Sequence, residues 1–277
     1  MIQNLGQKTG PILLFGGPYS NLHALQAMKA KAIELNIPPG QIICTGDVVG
    51  YCAYPEESLQ FVQQWGIHTI AGNVEFNLLD EADSCGCNFE EGSRCDSFSK
   101  QWFPFAKTKV SADSLKHLNT IPEFIRFQYM EKSILVLHGS YDNTSEFIFK
   151  STPASVKAAD FMLADVEVII GGHAGLPFLD QVILNTKTKT WLNPGVIGMP
   201  ANDGTPDTWY VILENENIHF HRLGYNYEKA GEAMEKHPLP EAYAETLRTG
   251  LWDNCDILPP AETAQMGEKI EEKKFKF

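Results

Sequence analysis

Four polar residues stand just past short apolar runs, and their types suit metal chemistry. Asp47 follows QIICTG, Asn73 follows IHTIAG, His138 closes SILVLH and His173 follows VEVIIGG. Carboxylate, amide oxygen and neutral imidazole are donors that suit Mn, Fe or Zn. If these segments are strands that end at one edge of a sheet, the side chains meet there and bring such donors together.

Each of these residues alone has a plainer interpretation. An Asp after Gly is commonly a turn residue, and a His at a strand end is commonly a hydrogen-bonded core residue. Together, their placement after separate strands predicts that Asp47, Asn73, His138 and His173 converge on one point.

The elements around these residues alternate in type. Short β-branched runs are typical of buried strands, and they occur at 12–15, 41–45, 67–71, 133–138 and 166–170. Helical patterns occupy 21–35, 55–65 and 152 to about 163. Strand–helix alternation predicts an α/β sheet, and such sheets build their sites just past the strand ends. The strand-end loops are therefore expected to converge on one pocket.

The second half of the chain has a different pattern. FLDQVIL, TWLN, DTWYVILE and NIHFHRL are strand-like runs joined by tight turns, which predicts a second, antiparallel sheet. Two helical patterns, EKAGEAMEK and EAYAETLRTG, follow. We expect one domain over residues 1–225, with a helical C-terminal tail over 226–277 packed on the same domain.

Three motifs together resemble those of a known family. GDVVGY begins at Gly46, HGS at His138 and NPGVIGMP at Asn193. Their order and placement resemble the calcineurin-like metallophosphoesterases, in particular their small bacterial phosphodiesterase branch, from about Ile12 to Leu213. The resemblance implies two packed mixed β-sheets flanked by helices, an αββα sandwich, and a centre in which two metal ions act on a phosphoric ester.

The resemblance also implies that only half of that centre is intact. By position, Asp47, Asn73, His138 and His173 match the ligands of the second metal, Asp47 being the bridging one.

The ligands of the first metal are replaced. Gly17-Pro18-Tyr19 stands where the family has Asp-x-His, Gly175 stands where it has a further His, and Val74 replaces a His that helps to protonate the leaving group.

Other residues near these motifs are candidates for supporting roles. Glu75 and Tyr19 are candidates for catalytic proton transfer, although Tyr19 as a pocket wall is an equally simple interpretation. Gly17, Ser20 and Asn21 stand at a predicted helix start and are candidates for phosphate binding. A plain strand–helix turn explains the same residues.

Four cysteines form a second candidate site. Cys85, Cys87 and Cys95 lie within one short segment, and Cys52 leaves a strand-end loop on the same side. Four thiolates satisfy a tetrahedral structural Zn, so the set predicts a zinc cluster separate from the catalytic metal. The spacing is not that of a standard zinc finger, and incidental loop thiols, or a disulfide in an exported chain, are the alternatives.

Charge limits the partners. Lys and Arg number 22 against 35 Asp and Glu, which gives a net charge of −13. Such a surface repels phosphate backbones, so general nucleic-acid binding is not expected. We see no signal peptide and no membrane-spanning run, so a cytoplasmic location is expected.

Two functions fit these residues. One is a metal-dependent phosphoesterase with a single-metal site, acting on a small phosphodiester or a nucleotide. The other is a catalytically silent relative that binds a nucleotide or anion as a regulatory module.

Overall fold

A computed structural model describes all 277 residues, and its strands form two six-stranded sheets. The first sheet has the order β1-β5-β6-β7-β9-β8. Its strands are β1 Ile2–Gln7, β5 Phe124–Tyr129, β6 Lys132–Val136, β7 Val168–Ile170, β8 Pro177–Leu184 and β9 Lys187–Pro194. The second has the order β12-β11-β10-β2-β3-β4. Its strands are β2 Ile12–Phe15, β3 Ile42–Cys44, β4 His68–Thr69, β10 Thr208–Glu214, β11 Asn217–Leu223 and β12 Lys274–Lys276.

Nine helices accompany the sheets. They are α1 Leu22–Glu34, α2 Pro55–Trp65, α3 Asn73–Leu79, α4 Arg94–Lys109, α5 Ala112–Leu118, α6 Ala154–Ala164, α7 Tyr227–Met234, α8 Glu241–Thr249 and α9 Pro260–Thr263. The three helical patterns predicted in the first part of the chain correspond to α1, α2 and α6. No helix is long and apolar enough to cross a membrane.

Alternation along the strands explains how the layers pack. In β2, Ile12 and Leu14 point into a core between the two sheets, whereas Leu13 and Phe15 point to the helices. The strand β6 does the same on the other sheet, since Ile134 belongs to the inter-sheet core. Successive strand residues face opposite sides, so a strand that is apolar throughout must be covered on both faces. The predicted αββα sandwich is confirmed.

The prediction that the strands of the second half form one antiparallel sheet is wrong, because their two hairpins join different sheets. The β8–β9 hairpin extends the first sheet through a parallel pairing of β9 with β7, and the β10–β11 hairpin extends the second through β2. Both sheets are therefore mixed. A hairpin is a local feature of the sequence, but the sheet that it joins depends on long-range pairing.

The C-terminal tail is not helical throughout. The helices α7 and α8 pack on each other, and α7 also contacts α1. The chain then ends in β12, which pairs antiparallel with β11. The last residues thus add an edge strand to the second sheet.

An isolated β-bridge links the two sheets at one end. Gly16, directly after β2, forms a parallel bridge with Val196, two residues after the end of β9. The N–H of Gly16 donates to the carbonyl of Gly195 at 2.9 Å, and a Cβ on Gly16 would lie 2.5 Å from that same oxygen. Only glycine allows this approach, which brings the ends of β2, β3, β6 and β7 to a common edge.

Candidate metal centre

Four side chains from separate loops converge at that edge. The Nε2 atom of His138 lies 3.1 Å from Asp47 Oδ2, 3.1 Å from Asn73 Oδ1 and 3.2 Å from His173 Nδ1. All four residues are buried, and the donor atoms of Asp47, His138 and His173 lie within 4.8 Å of one another. We call Asp47, Asn73, His138 and His173 the four-ligand cluster.

Hydrogen bonds outside the cluster orient its electron pairs inward. The Nδ1–H of His138 donates to the carbonyl of Thr45 at 2.7 Å, because a carbonyl can only accept. The Nδ2 atom of Asn73 donates to the carbonyl of Cys85 at 2.9 Å, which turns Oδ1 toward His138. With His138 neutral, its Nε2 atom, the Asp47 carboxylate and Asn73 Oδ1 are all acceptors. A metal ion or a shared proton at their centre satisfies them.

The spacing of the donor atoms fits a small transition-metal ion. Bonds of about 2.1 Å place neighbouring ligand atoms about 3.0 Å apart at right angles and about 3.4 Å apart in a tetrahedron. The separations of 3.1 and 3.2 Å around His138 Nε2 lie within that range. Two imidazoles, one amide oxygen and one carboxylate suit Mn, Fe or Zn. The residues fit one ion.

The surroundings shift the pKa values of the two imidazoles in opposite directions. Burial, and then the neighbouring His138, lowers the pKa of His173 to about 3, so that ring is a ready neutral ligand. Burial also opposes a charge on His138, but the carboxylate of Asp47 outweighs it and raises the pKa of His138. The cluster therefore attracts either a proton or a metal ion.

Glu75 positions the aspartate. Its carboxylate accepts the N–H groups of Asp47 at 2.9 Å, Gly72 at 2.8 Å and Val49 at 3.2 Å. Asp47 has a positive φ of 53°, an uncommon conformation that persists only where the surroundings impose it. Burial and the charge of Asp47 raise the pKa of Glu75 to about 7. Because Glu75 faces the backbone and is absent from the cavity wall, its place is that of a positioning group.

The opposite side of the site is filled by aromatic packing. The ring of Tyr19 lies over Gly17, where an added Cβ would be 2.6 Å from two ring carbons. Gly175 faces Trp252 and Met199, both 3.4 Å from the position of a Cβ. We call Gly17, Tyr19, Gly175 and Trp252 the aromatic side.

The aromatic side does not fit a second ion. Its two glycines offer no side-chain donor. Burial raises the pKa of Tyr19 well above its usual range, so the phenol keeps its proton and is not a phenolate ligand.

A small cavity separates the two sides. Its volume is about 30 Å³, room for a water molecule. The wall is mostly apolar and aromatic, and consists of Tyr19, Asp47, Gly50, Tyr51, Val74, Cys87, Phe89, Trp102, Phe147, His173, Ala174, Gly175, Met199, Trp252 and Ile257.

Several wall residues were not predicted from the sequence. Phe147 stacks on His173 with ring centroids 4.2 Å apart, and Trp252 arrives from the C-terminal tail. Neither belongs to a motif, so no local signal could have assigned them.

The side chains of the candidate phosphate-binding residues make hydrogen bonds within the protein instead. Ser20 Oγ accepts the N–H of Gly50 at 3.0 Å. Asn21 caps α1 by accepting the N–H of Ala24 at 3.2 Å. Both side chains are buried, and Gly17 lies beneath the ring of Tyr19. The placement does not support the predicted phosphate contact, and the turn serves to start α1.

The predicted four-thiol zinc cluster is not formed. Cys85 and Cys87 meet, with their Sγ atoms 2.6 Å apart, but no three of the four thiols come together. Cys95 lies in the first turn of α4, where its thiol donates to Asn254 Oδ1 at 3.3 Å. That turn is fixed to the C-terminal tail, since the N–H of Arg94 donates to Asp256 Oδ2 at 2.8 Å. Cys52 is buried separately, without a thiol partner.

Comparison with known proteins agrees with this geometry. Residues 17–217 match the model of the calcineurin-like phosphoesterase superfamily domain. The chain belongs to this superfamily. The family implies the use of a divalent metal ion, which agrees with the acceptor atoms that converge at the four-ligand cluster.

Relatives of this calcineurin-like phosphoesterase span nearly its whole length. An uncharacterised protein of Methanocaldococcus jannaschii is 26% identical over 247 residues, which cover 84% of this chain and 95% of that protein. The crystal structure of a metallophosphoesterase from Sphaerobacter thermophilus covers 88% of this chain and 100% of its own, with 23% identity and a TM-score of 0.67. A hypothetical protein of Pyrococcus horikoshii OT3 covers 91% and 100%, with 17% identity and a TM-score of 0.71. These two structures show the shared fold.

Proposed function

We propose that this protein is a metal-dependent phosphoesterase that works with a single ion and hydrolyses a phosphodiester or a nucleotide. The observation that carries the proposal is the four-ligand cluster, whose carboxylate, amide and imidazole atoms converge on one point. The family supports the reaction class, and the filled aromatic side supports one ion rather than two.

The four-ligand cluster has two tasks in this proposal. Asp47, Asn73, His138 and His173 hold the ion, which supplies Lewis acidity and lowers the pKa of a bound water to roughly 7. The adjoining cavity has room for that water next to Asp47 and His173. Glu75 keeps Asp47 in its positive-φ conformation through the N–H groups on either side of the loop.

Tyr19 is the candidate proton donor to the leaving group. Val74 stands where the family has a histidine for this task, and its side chain carries no proton to give. The phenol of Tyr19 stays protonated because the ring is buried. It lines the same cavity as Asp47 and His173, so it is placed to serve as the proton source.

The charge of the site favours a singly charged substrate. No lysine or arginine lines the cavity, so one ion and the Asp47 carboxylate set the local charge. A phosphodiester carries one negative charge, whereas a phosphomonoester near neutral pH carries almost two. The apolar wall suits an ester group of apolar or aromatic character, including a nucleoside.

A second function is favoured by a different observation. The cavity is small and the four ligands are buried, which leaves little room for a substrate and is the arrangement expected in a catalytically silent relative. The loss of one ion also removes the clamp that holds the attacking and leaving oxygens together in two-metal enzymes.

One experiment separates these functions. The chain is stripped of metal and loaded with Mn²⁺, and bound ions are counted by atomic emission while turnover of bis(p-nitrophenyl) phosphate is followed. The proposal expects about one ion per chain and turnover that Asp47→Asn abolishes. One bound ion without turnover would favour the silent relative, and no bound ion would contradict the proposal.

A further inference from the structure

A pair of thiols lies against the four-ligand cluster and has no part in the proposed reaction. The Sγ atoms of Cys85 and Cys87 lie 2.6 Å apart, and both residues are buried. Gly86 stands between them with a positive φ of 71°, a conformation that glycine adopts without strain and that turns both side chains to one point.

Asn73 joins this pair to the cluster. Its Nδ2 atom donates to the carbonyl of Cys85 at 2.9 Å and to Cys87 Sγ at 3.2 Å. Its Oδ1 atom lies 3.1 Å from His138 Nε2. Both bonds that orient the amide therefore come from the Cys85-Gly86-Cys87 turn, so a change in that turn changes a metal ligand.

We propose that Cys85 and Cys87 form a reversible disulfide, and that its formation weakens ion binding at the four-ligand cluster. The second half of this proposal rests on the proposed function, since it takes the cluster to be a metal site. The coupling runs through Asn73 and requires no movement of Asp47, His138 or His173.

Hydrogen peroxide is the oxidant that converts the two thiols into the disulfide. Cys87 lines the cavity, which is the route by which peroxide would meet the pair. One of the two sulfurs attacks one peroxide oxygen, the O–O bond breaks, and that cysteine becomes a sulfenic acid as water leaves. The other sulfur then attacks it, the S–S bond forms and a second water leaves. Two thiols and one peroxide give one disulfide and two waters, and dithiothreitol reverses the step.

The expected consequence follows from the hydrogen bonds. A disulfide sulfur is a poor acceptor, and closing the ring displaces the carbonyl of Cys85. Asn73 then loses the partners that hold its oxygen toward the ion. Loss of such outer partners typically costs about 10- to 100-fold in metal affinity.

The test uses the full chain and Mn²⁺ alone as the probe. Manganese prefers oxygen and nitrogen donors, so thiol changes do not compete for it. Mn²⁺ affinity is measured by electron paramagnetic resonance on reduced, peroxide-treated and re-reduced protein, and the mass of the peptide that contains residues 85–87 is measured in each. We expect a loss of two hydrogens in that peptide, a roughly 10- to 100-fold weaker affinity, and recovery of both after dithiothreitol.

Two variants locate the effect. Cys85→Ser removes the disulfide but leaves Cys87 as a partner of Asn73, so before oxidation its Mn²⁺ affinity should match the reduced protein, and peroxide should cause no loss of two hydrogens in the peptide. Cys95→Ser is the matched control, because its thiol bonds Asn254 and not the pair, and it should respond to peroxide like the unchanged chain.

Each outcome decides the proposal. No mass loss at residues 85–87, or a disulfide with unchanged Mn²⁺ affinity, would overturn it. If neither form binds Mn²⁺, the proposed function fails and the coupling fails with it, whereas the mass shift by itself still shows whether the disulfide forms.

Discussion

The two sides of the site differ in how their residues are held. In the four-ligand cluster, polar side chains are fixed by hydrogen bonds with backbone groups. The Nδ1–H of His138, for example, donates to the carbonyl of Thr45. On the aromatic side, Tyr19 and Trp252 pack against glycines. The first arrangement keeps the lone pairs of the cluster pointing to one place. The second offers no ligand for a metal ion and leaves little space.

This difference indicates that the aromatic side is a replacement and not simply a loss. An aspartate at position 17 would collide with the ring of Tyr19, and a histidine at position 175 would have to displace Trp252 or Met199. The substitutions therefore depend on one another, and restoring a single ligand would not restore the second ion.

The largest expected effect comes from the shared carboxylate. Asp47→Asn keeps the shape but removes the only negative charge in the cavity wall. We expect Mn²⁺ affinity to fall by more than about 100-fold, beyond the usual effect of losing an outer partner, and turnover to disappear. Isothermal titration of Mn²⁺ into metal-free protein measures the affinity. His219→Ala is the control, since this histidine stacks on His221 away from the site; equal losses in both variants would refute the assignment.

Tyr19→Phe tests the chemistry of the aromatic side. It removes the phenol proton and keeps the ring, so Mn²⁺ affinity should stay unchanged while turnover falls by about 10²- to 10⁴-fold, the range for general acid catalysis. Steady-state turnover of bis(p-nitrophenyl) phosphate provides the measurement.

The matched control for the phenol is Tyr54→Phe, in which the tyrosine packs on His23 instead. Unchanged turnover in Tyr19→Phe would leave the ring as a wall only, and a drop in Mn²⁺ affinity would give it a part in holding the ion.

Glu75→Gln tests how the four-ligand cluster is positioned. Glutamine keeps one acceptor oxygen, but the NH2 group that replaces the other cannot accept a backbone N–H, so the loop that carries Asp47 loses part of its support. We expect Mn²⁺ affinity to fall by about 10- to 100-fold, measured by the same titration. Glu57→Gln, on the exposed face of α2, should have no effect. An unchanged affinity in Glu75→Gln would show that Asp47 holds its conformation without this carboxylate.

Gly175→Ala has the smallest expected effect. The added Cβ makes ordinary contact with Trp252 and Met199, but the positive φ of 76° is strained for alanine. We expect the free energy of unfolding to fall by about 1–2 kcal/mol, with Mn²⁺ affinity unchanged, as measured by urea denaturation and titration. Gly40→Ala is the control because its Cβ meets open space and its φ is not positive. A change in metal affinity in Gly175→Ala would mean that this position still serves the ion.

The features that could be predicted from the sequence are those that depend on short stretches of the chain. Asp47, Asn73 and His138 stand directly past apolar strands, so one pattern places both the strand and the polar residue. The helices α1, α2 and α6 follow in the same way from local periodicity.

The rest depends on contacts between distant segments. The sheet that receives the β8–β9 hairpin, the stacking of Phe147 on His173 and the arrival of Trp252 have no local sequence pattern. Cys95 was expected beside Cys85 because both belong to one cysteine-rich loop, yet contacts between α4 and the C-terminal tail direct it elsewhere. The role of Glu75 was also hidden, since its partners are backbone N–H groups that any sequence would supply.

The number of ions at the site tests the central claim most directly. Crystals of the full chain grown with Mn²⁺ are measured at the manganese absorption edge, and an anomalous difference map locates each ion. The account predicts one peak within bonding distance of Asp47, Asn73, His138 and His173, and none beside Tyr19 or Gly175. Two peaks about 3.5–4 Å apart, the separation typical of two-metal sites, would contradict it.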